Sequence, residues 1–229
     1  MIKFGLICEG ATDQAVLKNI LIGHFSDPDL TVVTLQPDRG ATERADLNNF
    51  GGWYKVLDYC RSDRFLSAFD DDNAFVIIQI DTDRAHETHY EVFTTDEMGQ
   101  KLSVEQIVTN VREKFKSIFI ESFGEPFFEN NQHRIIYAVS VDETECWLLP
   151  LYYADKTKSA THNCFFKLNE KRVQNNETRI RKDKIGEVPT YQKMSRQLSK
   201  NKILKEKYIQ NPSFEIFIDD LESKMPKNA

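Results

Sequence analysis

The sequence predicts an α/β fold: a mostly parallel β-sheet flanked by helices, continued by a basic, mainly helical C-terminal extension. Three observations lead there. Apolar runs of strand length alternate with stretches of helical spacing across roughly the first 155 residues. One of these runs, "AFVIIQID" at 74–81, is almost continuously apolar, as a central parallel strand covered on both faces must be. The charge also divides sharply: residues 1–155 hold 13 Lys and Arg against 27 Asp and Glu, whereas residues 156–208 hold 15 against 5.

The elements follow in order. "IKFGLIC" (2–8) has strand length and ends at Glu9-Gly10, after which Ala15, Val16 and Ile20 keep near-helical spacing, with Thr12 as the expected N-cap. "TVVTLQ" (31–36) reads as a second strand and "WYKVLDYCRSDRFLSAF" (53–69) as a helix. After the strand at 74–81 comes a polar connection, then an amphipathic helix over 103–119 and a strand over 133–141. "DETECWLLPLYY" is expected to open a helix with Asp142 as its cap and early acids that suit the helix dipole, and Pro150 to end or kink it. In the extension, helices are expected around 191–208 and 213–225, and the polar stretch 169–189 has the composition of a mobile loop.

The chain of 229 residues, 40% hydrophobic and 29% charged, suffices for one generous domain with an appendage, assigned here as 1–155 and 156–229. No apolar run approaches the ~20 residues of a membrane span, and the N-terminal apolar stretch reads as a buried strand rather than a secretory leader. Cys8, Cys60, Cys146 and Cys164 are widely spaced and are expected to be free thiols in a reducing, cytoplasmic compartment. An acidic body with a basic segment suits a protein that gathers carboxylates in one place and meets a polyanion with another; a solvated lysine-rich surface is the competing explanation.

Acids stand at the carboxyl ends of three expected strands: Glu9, then Asp81 and Asp83, then Glu143 and Glu145. Ligands of open parallel sheets bind outside those ends, so neighbouring strands would bring these acids into one crevice. Carboxylates crowded together repel unless protons or a cation neutralise them. Hard oxygen donors select Mg²⁺ or Mn²⁺, and a pair of such ions supports phosphodiester hydrolysis. Turn chemistry and helix-start acids would explain each of these residues singly.

Two motifs, "CEGATD" and "IIQIDTD", together with "ETECWLL" and the "FGGW" turn, resemble the Toprim domain of topoisomerases, primases and small RNA-maturation and OLD-family nucleases. The likeness covers about residues 2–150 and is nearest to the small stand-alone Toprim-related proteins of prokaryotic defence loci. It implies a Toprim-like, Rossmann-like fold and a cytoplasmic, Mg²⁺- or Mn²⁺-dependent nuclease acting on DNA or RNA. It further implies Glu9 as an acid/base group or metal ligand, Asp81 and Asp83 as metal ligands, and Asp13 as an acid for a second ion. Glu145 is the acid of the Glu-x-Trp pattern, with Glu143 as fallback. Lys184 and Lys193 in the basic segment are candidates for phosphate contact. A topoisomerase tyrosine module and a primase zinc module are both absent.

Other readings remain open. The chain suits a non-catalytic effector regulated by a partner ATPase. "DTDRA" also resembles a haloacid-dehalogenase nucleophile motif, although its strand is internal and position 85 is Ala. A dinucleotide site lacks the further glycines of the phosphate fingerprint. Of His86, His89 and His162, His86 just past the Asp-x-Asp turn reads as an exposed loop histidine or as a group that orients a water or phosphate, and Gly51-Gly52 as a helix-opening turn or a close approach to phosphate.

Overall fold

The computed structural model describes residues 2–38, 52–72, 74–181 and 185–225. Four strands, β1 (Lys3–Ile7), β2 (Thr31–Gln36), β3 (Ala74–Asp81) and β4 (Ile135–Ser140), form one sheet in the order β2-β1-β3-β4, parallel throughout. Helix α1 (Ala11–Phe25) leads from β1 to β2, and α2 (Trp53–Cys60) and α3 (Asp63–Ser67) precede β3. Between β3 and β4 lie α4 (Val104–Phe123) and α5 (Glu125–Asn131). After β4 come α6 (Glu145–Tyr152), α7 (Cys164–Gln174), α8 (Val188–Ser195), α9 (Asn201–Lys207) and α10 (Pro212–Lys224). The chain leaves β1 toward β2 on one side and returns to β3 on the other, so the direction of winding reverses between β1 and β3. At such a switch point the loops part and leave a crevice beyond the strand ends.

Both faces of the sheet are covered, which accounts for the continuous apolar character of β3. Phe75 and Ile77 join Phe4, Leu6, Ile136 and Ala138 against α1, α6, α7, α8 and α10. Val76, Ile78 and Ile80 join Ile135, Tyr137 and Val139 against α2, α3 and α4. The strand's period of two thus sends alternate side chains into two apolar layers. Residues of the basic segment, among them Leu168, Tyr191 and Leu204, belong to the same apolar cluster as β1 and α1. Among the described residues no helix is long and apolar enough to cross a membrane.

Several local expectations are corrected. The first helix begins at Ala11 with Gly10, not Thr12, at its N-cap. The stretch 53–69 splits into α2 and α3, because Ser62 is extended and its hydroxyl donates back to the Tyr59 carbonyl at 2.7 Å. The helix expected over 103–119 runs on to Phe123, opened by a capping box in which Ser103 and Gln106 exchange hydrogen bonds. Asp142 does not cap α6; it adopts a left-handed conformation (φ 77°) and its Oδ2 accepts from the Cys164 amide instead. Pro150 lies inside α6 and the helix continues to Tyr152. Much of the stretch expected to be a loop is fixed: 169–174 lie in α7, and the Asn169 amide clamps both backbone groups of Ile180. The expectation of four free thiols holds for Cys8 and Cys60, both buried, whereas Cys146 and Cys164 form a disulfide joining α6 to α7.

Helix α1 meets the segment after α8 at Gly23, where a Cβ would lie 1.9 Å from the Leu198 carbonyl oxygen. That atom is backbone and cannot swing aside. Gly23→Ala is expected to destabilise the fold by about 2 kcal/mol, within the usual range for overpacking; urea unfolding followed by circular dichroism measures it.

Candidate active site at the strand ends

The sequence leaves strand order open, and the observed order makes β1, β3 and β4 neighbours. Glu9 follows β1 by two residues and Asp81 closes β3, so the two acids flank the switch point. Their contact is direct: the Asp81 amide donates to Glu9 Oε1 at 2.7 Å. The Glu9 carbonyl in turn accepts from the Gly52 amide at 2.7 Å, with Gly52 at φ 125°, a conformation that suits glycine. Trp53, next in sequence, stacks on Tyr90 with centroids 5.6 Å apart, and the Tyr90 hydroxyl donates to the Asp81 carbonyl at 2.9 Å. The Gly-Trp turn therefore braces Glu9 and Asp81 from the side of α2. Its other glycine, Gly51, lies outside the described residues.

Beneath the acids sits Gln79, fully buried in β3. Its Oε1 accepts from the Glu9 amide at 3.0 Å, and its Nε2 donates to Asp81 Oδ1 at 2.8 Å and to Thr144 Oγ1 at 3.1 Å. The Thr144 hydroxyl also reaches Asp81 Oδ1 at 3.2 Å. Asp83 stands in the loop after β3, whose amides at Thr82 and Asp83 donate to the Asp142 carbonyl beyond β4.

Glu143 and Glu145 part company. Glu143 Oε1 accepts from the Phe165 amide at 2.6 Å, and with Asp142 it satisfies the first turn of α7, whose own N-cap Asn163 offers no side-chain bond. Glu145, in the first turn of α6, is buried and accepts a hydrogen bond from the Tyr191 hydroxyl of α8. Trp147 is a structural residue: it is buried, stacks on Phe214 and Phe217, and donates to Ser213 Oγ at 2.9 Å.

Electrostatics gather the predicted acids around Asp81. Burial pushes its carboxyl well above the usual range, and Glu9, Asp13, Glu145 and Asp83 each push it further in that order. Burial and then Glu143 likewise push Glu145 up to about 8, with the Tyr191 hydrogen bond opposing and Asp13 adding. The Tyr90 hydroxyl is raised by burial and by Glu9, Asp81 and Asp83.

The five acids are not drawn together as tightly as a filled ligand cage. Among the described residues, the one group of three metal-capable side chains with donor atoms all within 4.8 Å is Asp142, Cys146 and Cys164, and there both sulfurs are spent on the disulfide. The carboxylates around Asp81 are hard oxygen donors, a donor set that fits Mg²⁺ or Mn²⁺. Mg²⁺ in particular takes one or two carboxylates and completes its shell with water and substrate oxygens. Of the two basic candidates, Lys193 is exposed on α8, two residues from Tyr191, and Lys184 lies outside the described residues. His86, His89 and His162 are exposed.

No protein-family model matches the chain, and no curated protein or solved structure is similar to it.

The same crowding has a pH signature. A folded-state value of about 8 for Glu145 against an ordinary 4.5 means that its contribution to stability is full below about pH 4.5 and is lost as pH rises toward 8. Metal-free protein is expected to lose thermal stability over that window, by at most about 1.4 kcal/mol per pH unit for each such group. Glu145→Gln should flatten the slope. Thermal melts in EDTA between pH 5 and 8.5 check both.

Proposed function

We propose that this chain is a Toprim-type, divalent-metal-dependent nuclease that hydrolyses nucleic-acid phosphodiesters. The observation that carries the reading is Asp81 at the switch point of a parallel sheet, hydrogen-bonded through its amide to Glu9, with burial and the charges of Glu9, Asp13, Glu145 and Asp83 all raising its carboxyl. Such an arrangement is costly unless a cation or protons relieve it. Glu9, Asp81 and Asp83 are the residues to hold the ion, with the buried Asp13 and Glu145 beside them. When bound, Mg²⁺ or Mn²⁺ supplies charge stabilisation at the reacting phosphate and lowers the pKa of a water.

The chain's own groups do the rest. Gly52, Tyr90 and Gln79 hold the backbone and carboxylates of Glu9 and Asp81 in register. Tyr191 holds Glu145 through a hydrogen bond to its Oε1 and brings α8, with exposed Lys193, beside the acids. Backbone phosphates would be gripped from that basic segment.

The experiment is cleavage of labelled single- and double-stranded DNA and RNA with Mg²⁺ or Mn²⁺, each with an EDTA control. Metal-dependent cleavage lost in EDTA supports the reading, and undiminished cleavage in EDTA sinks it. Metal binding without cleavage of any substrate would instead favour a non-catalytic subunit that acts through a partner ATPase.

A further inference from the structure

We infer that Gln79 is a positioning residue for the carboxylate site: its amide sets the geometry of Glu9 and Asp81 for a divalent cation. The inference rests on the acids being a cation site, as proposed above. A glutamine in the middle of "AFVIIQID" is otherwise hard to explain. It is fully buried in the central strand, where its neighbours two and four residues back on the same face, Ile77 and Phe75, belong to an apolar cluster. Burying an amide there is unfavourable unless its bonds are made.

Those bonds are made, and all go to the site. The single acceptor oxygen takes the Glu9 amide from β1's end, and the donor nitrogen serves Asp81 at its own strand end and Thr144 beyond β4. One side chain thus ties together the carboxyl ends of three parallel strands. The bonds to Asp81 from Gln79 and Thr144 both fall on Oδ1, which fixes the rotation of that carboxylate. The bond to Glu9 fixes the backbone from which its side chain returns to the Asp81 amide. An apolar residue would pack equally well in β3 but would leave the two acids to set their own spacing under mutual repulsion. Groups of this kind behind metal ligands typically govern affinity by about 10- to 100-fold.

The test compares wild type, Gln79→Met and Thr144→Val by titration with Mn²⁺ alone, read by electron paramagnetic resonance of free Mn²⁺ and by the Mn²⁺-induced rise in Tm. Methionine keeps the length and removes the amide; valine keeps the shape of threonine and removes one donor to Oδ1. The expected result is a Kd weakened at least tenfold in Gln79→Met, with a smaller loss in Thr144→Val and a reduced Mn²⁺-induced Tm rise in both. A purely structural glutamine would lower Tm equally with and without Mn²⁺ and leave Kd unchanged, and that result in a folded variant overturns the inference. Should Gln79→Met not fold, Thr144→Val decides: an unchanged Kd overturns the inference and a weakened one upholds it. Failure of wild type to bind Mn²⁺ is a separate outcome, which removes the cation site itself and the inference with it.

Discussion

Asp81→Asn is expected to lower metal-dependent cleavage by about a thousandfold or more, while the metal-free protein becomes no less stable than wild type. The two halves of this expectation arise from one fact. Burial and four other acids all act on Asp81 to disfavour its charged form, a cost that a hard cation beside it would relieve. A neutral amide of the same shape keeps an acceptor for Gln79 and Thr144 and removes the charge that an ion needs. A loss of three decades corresponds to about 4 kcal/mol of transition-state stabilisation. In the absence of metal the substitution relieves repulsion among Glu9, Asp13, Asp83 and Glu145, which should offset any loss of hydrogen bonding. Glu9→Gln should behave similarly in activity. Single-turnover cleavage assays beside melts in EDTA separate the effects. Near-wild-type cleavage by Asp81→Asn would remove the acid from the mechanism; a matching collapse of Tm would make the residue structural.

Much of this candidate site is legible in the sequence because its acids follow a rule of placement. Glu9, Asp81, Asp83 and Glu145 each stand at or just beyond the end of an apolar run, and α/β sheets put ligand sites there. What converts placement into a site is strand adjacency, β1 beside β3 beside β4, and no local pattern encodes it. The residues that hold the acids were less visible still. Gln79 hides in a run whose apolar neighbours dominate the pattern, and a single polar residue in a buried strand carries no sign of what it bonds. Tyr191 acts on Glu145 from 46 residues away, inside a segment whose composition advertises only charge. Glu143 and Glu145 differ only in partners that are distant in sequence: Glu143 accepts from the Phe165 amide of α7 and Glu145 from the Tyr191 hydroxyl of α8. The cysteine spacing misled for a similar reason: Cys146 and Cys164 are 18 residues apart and meet only because α7 folds back on the first turn of α6. Spacing is read locally, and these contacts are not local.

Asn211→Ala is expected to destabilise the fold by about 4 kcal/mol, and the reason lies in Pro150. A proline inside a helix has no N–H for the carbonyl four residues earlier, which in α6 belongs to Cys146. Asn211, fully buried, supplies the missing donor: its Nδ2 reaches the Cys146 carbonyl at 3.3 Å and the Ala160 carbonyl at 3.2 Å. Its Oδ1 meanwhile accepts from the Phe214 amide at 3.2 Å and from Ser213 Oγ at 3.1 Å, so the same side chain caps α10. Alanine would leave buried carbonyls and a helix-start amide without these partners, each at about 1 kcal/mol or more, and add the loss of an N-cap. Pro150→Ala restores an N–H aimed at the Cys146 carbonyl, so the cost of Asn211→Ala should fall by about 1 kcal/mol in that background. Urea unfolding of the two single variants and the double variant closes the cycle. Strict additivity would show that Asn211 acts only as the cap of α10. A positive coupling would show that the helix carrying Glu145 tolerates its proline because a residue 65 positions away completes its backbone.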